Sequence, residues 1–553
     1  MFAKQQSASF VPPFASSSAE SRLQVTWYTL AWVFIAAGIF FRLFHFFQNR
    51  SLWIDEIYLA TSLIKLDFLQ LTSPTLAYEQ KAPIGFLWAV RLAVLAFGKS
   101  EMALRLFPLL CGLTSLFMFV PVASHFLKPF GVAIALGVLA LAPPLVYHSV
   151  EVKQYGTSLL ATVLSLYLYI RYKDKHDLQS LLLWGIGGGV LLWFSYEVIF
   201  VLAGMAFAVC LSYIIKREWK LLFRAFIPFT LWLLSFAVNF LLFTYRHADS
   251  EWLVEWFALR EAFMPFPPTS LAELSWFGHA AYLLLDYPLG LLRNDISAGN
   301  EFLRWLLNLS LLPVVCMAIG FISIYRKDKT MFMLLYFPLA LALLASGLKL
   351  YPFYERLTVF LAPLLLVTLA TGTQWLSARL PLKAPWRFAL ASLVLLGPLL
   401  SSVQQVYNDS LFGGKKHARH REVFLYIQER VHPDDIVYIN WNAIPEYQYY
   451  KEVYHFSFKA LTGADVRPQS ASAAEYLQNL GTDIDAMTQH PRAWVVLNTF
   501  MGANIGEVEY PGDLFSTTLK DGKLFLKELS SHGRLIDEFK GLHDKAYLFD
   551  FTE

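Results

Sequence analysis

Charge is scarce in this chain. Only 16% of its 553 residues are Asp, Glu, Lys or Arg, where soluble domains carry about 25%, and that excludes an ordinary water-soluble fold of this length. The imbalance of charge is small too. A net charge of +3 offers no electrostatic footprint for nucleic acid. Cysteine is nearly absent: Cys111, Cys210 and Cys316 each lie in an apolar run, with neither metal spacing nor a disulfide framework. Beyond Asn408 there is no glycine-rich phosphate fingerprint and no nucleophile elbow. What the chain has in quantity is apolar surface, at 56% hydrophobic and 16% aromatic with mean hydropathy +0.46. It reads as a polytopic α-helical membrane protein.

Apolar runs of about the 20 residues a spanning helix needs fall at 26–47, 103–127, 130–149, 154–170, 179–195, 196–215, 221–244, 302–325, 330–348, 357–377 and 386–407. They predict eleven transmembrane helices. The polar, Ser-rich residues 1–25 read as a disordered cytoplasmic N-terminus, and the run after them is too long for a cleaved signal peptide. Ser195-Tyr196-Glu197 reads as a tight turn between two short helices, and Gly187-Gly188-Gly189 suits close helix packing. Residues 83–97 are apolar but short, with Arg91 central, and suit an interfacial helix better than a span. Lys/Arg bias supports that choice. With eleven spans, one set of loops gathers Lys128, Arg171, Lys173, Lys175, Lys216, Arg217, Lys220, Arg224, Arg326, Lys327, Lys329, Arg379, Lys383 and Arg387. The opposite loops between later spans hold only Lys153, Arg246, Arg260, Arg293, Lys349 and Arg356. The membrane domain is therefore expected over 26–407, with 48–100 as one extracytoplasmic loop carrying two juxtamembrane helices.

Residues 408–553 turn polar and form a small soluble domain on the same side. A helix is predicted at 421–431, a strand at 435–441, helices at 444–454 and 471–480, a strand at 493–497, and a hairpin at 534–539 and 545–551. Strands alternating with helices suggest an α/β sheet. A structural or acceptor-docking cap is the favoured role for it.

The outward-facing polar residues carry the chemical signal. Asp55 and Glu56 follow the first span directly, and ionisable groups at a membrane boundary are costly unless solvated or used. Helix-start preference explains an acidic pair equally well on position alone. Other loop ends on the same face add Lys81; His148, Glu151, Lys153 and Tyr155; and Lys349, Tyr351, Tyr354, Glu355 and Arg356. A carboxylate can take a proton from an acceptor hydroxyl, and cations can neutralise a leaving phosphate. Snorkelling accounts for any one of these cations alone; together with an acidic pair, function is the better account.

Four segments resemble the GT-C glycosyltransferases that use polyprenyl-phosphate-linked sugars, a branch containing protein O-mannosyltransferases, lipid A aminoarabinose transferases and bacterial family 39-like enzymes. They are Trp53-Ile54-Asp55-Glu56, Glu79-Gln80-Lys81-Ala82-Pro83, Glu101 to Pro108 with its Arg105-Leu106-Phe107-Pro108, and Tyr147 to Tyr155 with its Glu151-Val152-Lys153-Gln154-Tyr155. Lys153 stands where that family usually has Arg, so contact there is by a point charge, not a bidentate fork. The tail from Pro433 to Tyr450 looks like the soluble domain appended to bacterial members.

The resemblance implies a GT-C fold and an inverting transfer of sugar from a polyprenyl-phosphate donor to a glycan, lipid or protein acceptor. It places the chain in a bacterial inner (plasma) membrane with the active site outside. It makes Asp55 the general base or the carboxylate that orients the acceptor, and lets Glu56 shape the same site. Lys81, Lys153 and Arg356 would hold the donor phosphate, and Glu151, His148, Tyr155 and Tyr354 would contact substrate. The branch acts without an obligate metal, although Asp55, Glu56 and Glu151 are oxygen ligands a hard cation could use. The alternative is a transporter or flippase for a lipid-linked glycan, which calls for charged or broken helices at mid-membrane; the charges here sit at span ends.

Overall fold

The computed structural model describes residues 19–73, 76–245, 250–292, 311–379, 384–416, 418–508 and 522–552. The membrane domain consists of α1 Ala19–Gln48, α2 Ile54–Lys65, α3 Ile84–Phe97, α4 Glu101–Phe126, α5 Pro129–Leu141, α6 Pro143–Tyr147, α7 Tyr155–Tyr172, α8 Leu178–Phe194, α9 Val198–Ile215, α10 Trp219–Asn239, α11 Glu251–Ala258, α12 Leu271–Asp286, α13 Leu311–Lys327, α14 Lys329–Gly347, α15 Ala362–Arg379 with a 3₁₀ lead-in at Glu355–Leu361, and α16 Ala384–Tyr407. Helix is present in each predicted span. Among the described residues, seven helices are long and apolar enough to cross a membrane; the other predicted spans hold shorter or less apolar helices. Helix α1 starts at Ala19, earlier than expected, and residues 1–18 of the predicted disordered segment lie outside the described residues. So do residues 302–310 of one predicted span, and Arg246, Arg293 and Lys383 of the loop charges.

Short helix α5 is buried on every side, between α1, α4, α15 and α16. That is why its sequence is apolar all round and lacks a polar stripe. The predicted span at 130–149 breaks at Ala142 because Pro143 and Pro144 cannot donate to the α5 ladder; they begin α6 instead. Small residues set the closest crossings. A Cβ on Gly188 would stand 2.2 Å from Trp232 Nε1 on α10, and one on Gly372 would stand 1.7 Å from the Cys316 carbonyl on α13.

Basic loops meet one another at one end of the bundle. Lys173 Nζ is 3.4 Å from His125 Nε2, Arg224 reaches the His176 carbonyl, and Lys128 donates its N–H to Gln374. The acidic pair is at the other end. Helix α3 does not cross between them. Its first residues pack on the end of α8, where a Cβ on Gly85 would meet the Trp193 carbonyl at 2.7 Å. Just past its last turn, the Lys99 carbonyl accepts from Tyr449 of the tail, and Lys99 Nζ pairs with Glu452.

The tail comprises α17 His420–Arg430, β1 Ile436–Ile439, α18 Ile444–Tyr454, β2 Ala460–Thr462, α19 Ala473–Asn479, α20 Gly481–Thr488, β3 Arg492–Asn498, α21 Lys523–His532, β4 Arg534–Lys540 and β5 Asp544–Asp550. The strands form one sheet in the order β2-β1-β3-β5-β4, parallel across β2-β1-β3 and antiparallel across β3-β5-β4. Sequence reading finds four of the strands and the hairpin but misses β2, α20 and α21; β2 has only three residues, too few to show a period. Period-2 alternation gives the sheet two faces. Tyr438, Val495, Leu497 and Phe549 pack under α20 and α21. Val437, Ile439, Trp494 and Val496 join Phe424, Tyr449 and Tyr450 in one cluster with Leu52, Ile57, Leu63 and Phe86 of the first loop. The tail is thus docked on the elements that carry the acidic pair.

Candidate active site

Asp55 and Glu56 are adjacent in the first turn of α2 and point to different environments. Glu56 is fully buried. One oxygen accepts from Arg105 and from the Val152 N–H at 2.9 Å; the other accepts from Arg50 at 2.8 Å, Arg105 at 3.0 Å and the Trp53 N–H at 3.1 Å. Burial would raise its carboxyl, but Arg105 and Arg50 hold it below its ordinary value. With both oxygens occupied, Glu56 has no face for a substrate or a cation. It ties α2 to α4 and to the loop after α6.

Asp55 is partly accessible. Its Oδ2 accepts from Arg356 Nη1 at 2.6 Å. Burial pushes this carboxyl up; Arg356 and Lys153 more than offset that, and it lies below its ordinary value. Lys153 Nζ donates to Gln80 Oε1 at 2.6 Å. Burial pulls this ammonium down, Arg356 adds to the effect, and Asp55 and Glu151 oppose it. Lys81, next to Gln80, is half-buried. Its segment is turned by Tyr78 and Glu79, both in the left-handed region, with the Tyr78 ring 4.5 Å from that of Tyr58 on α2.

The loop between α6 and α7 is buried despite its polar sequence. Glu151 Oε2 meets His148 Nδ1 at 2.6 Å, and His148 Nε2 meets the Tyr287 hydroxyl. Glu151 Oε1 is buried with no hydrogen-bond partner among the described residues. Burial would raise this carboxyl, but His148, Lys416 and Arg356 hold it far below the carboxylate range. Tyr155 starts α7 with the Arg356 guanidinium 5.8 Å from its ring centre. Tyr354, ahead of the 3₁₀ turn, is half-buried against Phe257.

Sequence reading missed Lys416 and Tyr287. Lys416 Nζ lies 5.2 Å from the Tyr147 ring centre and 5.9 Å from that of Tyr287. Glu151 is the carboxylate that acts on it most, yet burial still lowers its ammonium. Its position depends on Gly413, whose φ is +83° and whose added Cβ would fall 2.5 Å from Tyr147. Only a glycine admits both the left-handed turn and the close approach. The Gly413-Gly414-Lys415-Lys416 turn was the available signal, but nothing local says where it points. Asp55, Glu151, Lys153, Arg356 and Lys416 thus form one mutually interacting group. With Glu355, which also acts on Lys416, three carboxylates and three cations share this cluster, so cations for an anion stand beside a proton acceptor.

Residues 81–243 match the family described as dolichyl-phosphate-mannose-protein mannosyltransferase. No curated protein matches the chain by sequence. Two crystal structures of ArnT from Cupriavidus metallidurans share its architecture. The apo form is 12% identical with a TM-score of 0.50, and the form bound to undecaprenyl phosphate is 13% identical with a TM-score of 0.50. Each alignment covers 96% of this chain and 98% of ArnT. The chain has an ArnT-like GT-C fold. The likeness extends over the tail as well as the bundle, because nearly the whole of both chains aligns. Neither comparison favours the transporter alternative.

Proposed function

We propose that the protein is an integral-membrane glycosyltransferase that moves a sugar from a polyprenyl-phosphate donor to an acceptor hydroxyl, with inversion. The observation that carries this reading is the Asp55–Arg356 pair set among Lys153, Lys416 and Glu151. The partial family match and the likeness in fold to ArnT, one structure of which holds undecaprenyl phosphate, add to it. Residues 26–407 form the catalytic membrane domain and 408–553 a soluble domain that completes the site. Both the 48–100 loop and the tail face the extracytoplasmic side of an inner membrane, by the Lys/Arg bias.

The donor is a phosphodiester with one negative charge. Its phosphate enters among Arg356, Lys153, Lys416 and Lys81 while its tail remains in lipid. By competing for Arg356 it weakens the grip on Asp55, whose carboxylate becomes a stronger base where the acceptor hydroxyl arrives. The acceptor oxygen bonds to the anomeric carbon as the bond from that carbon to the phosphate oxygen breaks. Asp55 takes the hydroxyl proton, and the electron pair leaves on polyprenyl phosphate, whose second negative charge the cations neutralise. His148, Glu151 and Tyr155 line the sugar side, with Tyr354 at the rim; Glu56 acts as a positioning residue.

The test is purification of the full chain and of Asp55→Asn, with donor binding and turnover measured separately on short-chain polyprenyl-phosphate sugars. Turnover should fall about 10²–10⁴-fold with donor binding retained. Turnover near that of the unmodified chain would remove Asp55 from the reaction.

A further inference from the structure

His420, Glu446 and Asp544 come from three elements and meet inside the tail. His420 opens α17, Glu446 lies in the first turn of α18, and Asp544 opens β5. All three are buried, at 2%, 1% and 3% exposure. His420 Nδ1 is 2.5 Å from Asp544 Oδ1 and 3.9 Å from Glu446 Oε1. One nitrogen or oxygen from each side chain falls within 4.8 Å of the other two.

The hydrogen bonding of this cluster does not close. Glu446 Oε1 accepts from Asn498 Nδ2 at 2.7 Å. Glu446 Oε2 and Asp544 Oδ2 are buried without any donor among the described residues. The adjacent Arg421 turns elsewhere, to Glu101, the Asn49 carbonyl and Glu422. An ordinary buried ion pair would leave fewer loose ends, since carboxylate oxygens removed from water are normally matched by donors or metal.

We propose that His420, Glu446 and Asp544 bind one first-row divalent cation, zinc or manganese. A single dication neutralises two carboxylates and takes a neutral imidazole without adding charge. One nitrogen and two oxygens suit these ions; calcium prefers an all-oxygen shell and copper(I) prefers sulfur. Ligands at zinc distances stand roughly 3.3 Å from one another, inside the 2.5 to 4.8 Å spread of these atoms. The ion's place in the fold indicates its work. Arg421 and Glu422, next to His420, bind Glu101, the Asn49 carbonyl and Ser51 of the membrane domain. Tyr450, one turn beyond Glu446, accepts the Leu52 N–H at 2.9 Å. Fixing α17 to α18 and β5 therefore fixes the tail's hold on the residues that lead into α2. The ion is a structural clasp, and its existence does not depend on the proposed transfer reaction.

The experiment uses the full-length, tag-free protein in detergent, purified without chelator. Metal analysis should find close to one equivalent of zinc or manganese per chain. After stripping with EDTA, titration with zinc chloride and with manganese chloride should identify the ion. Saturation about 100-fold above the dissociation constant should raise the melting midpoint by about 2–3 °C in a chain of this length. Glu446→Gln and Asp544→Asn should lose the bound ion, whereas His532→Ala, on the exposed end of α21, should keep it. Because a ligand variant can fail to fold, the unmodified chain decides. If it holds no stoichiometric metal and neither ion shifts its midpoint, the cluster is a hydrogen-bonded triad and the proposal is wrong. A folded Glu446→Gln that retains the full equivalent overturns it as well.

Discussion

Asp55 is ionised but restrained. Its carboxyl lies below the ordinary value because Arg356 and Lys153 outweigh burial. A depressed folded value means that this pairing stabilises the fold above the ordinary carboxyl pKa and is lost as pH falls through the folded one. The free enzyme should accordingly show no acid limb in kcat/KM down to roughly pH 5. Arg356→Gln removes the main offset to burial, so Asp55 should rise and bring an acid limb into the neutral range. A kcat/KM profile against pH checks this, and an unmoved limb would mean another group is the base. Lys153 and Lys416 are both lowered by burial, so donor KM should begin to climb at a lower pH than an ordinary lysine would give. Lys416→Met should raise donor KM about tenfold or more, the worth of one charge-assisted hydrogen bond. Glu56→Gln is expected to act on folding, because it leaves Arg50 and Arg105 buried and unmatched. A loss of about 3–5 kcal/mol would appear in the thermal midpoint before it appeared in turnover of the folded fraction.

Two glycine-dependent contacts govern how elements meet. The turn at Gly413 brings the chain leaving α16 against Tyr147 and delivers Lys416. Gly413→Ala sets a Cβ 2.5 Å from that ring on a backbone with φ of +83°. It should reproduce the donor-KM defect of Lys416→Met with kcat little changed, a pattern that steady-state kinetics on the two variants can compare. The second contact is the crossing of α13 and α15. Gly320 and Gly372 each lie so close to the opposing backbone that a Cβ would fall 2.1 and 1.7 Å from a carbonyl oxygen. Gly372→Ala must push the helices apart, and such overpacking costs about 1–3 kcal/mol. A lowered melting midpoint with unchanged donor affinity is the expected result, since the crossing is remote from Asp55 in contacts.

The tail and the first loop behave as one body. They share a hydrophobic cluster and the Lys99–Glu452 pair, and Arg421 binds Glu101 at the start of α4. Truncation before Asn408 should consequently abolish transfer even if the bundle still folds, because it removes Lys416 and uncovers α2. The two parts must also lie on one side of the membrane. Cysteines placed at Ser73 and Ser531 should both react with an impermeant thiol reagent in intact cells or spheroplasts, and reaction of one alone would contradict the shared face.

Properties that depend on near neighbours were legible in the chain. Low charge and long apolar runs identified a membrane protein, and short-range periodicity located its helices, because burial in lipid or in a bundle acts on every residue of a segment. The same logic found α2 and α3 and most of the tail's strands. It did not distinguish Asp55 from Glu56. Both are acidic, adjacent and at a helix start, yet one stays partly accessible beside Arg356 and the other is enclosed by Arg50 and Arg105. That difference is set by which way each side chain leaves α2 relative to α4. Nor could spacing join Asp55 to Arg356, 301 positions away, or bring Lys416 to Glu151. Such contacts arise where separately folded segments converge, and the charge of a residue carries no record of which distant partner it will meet.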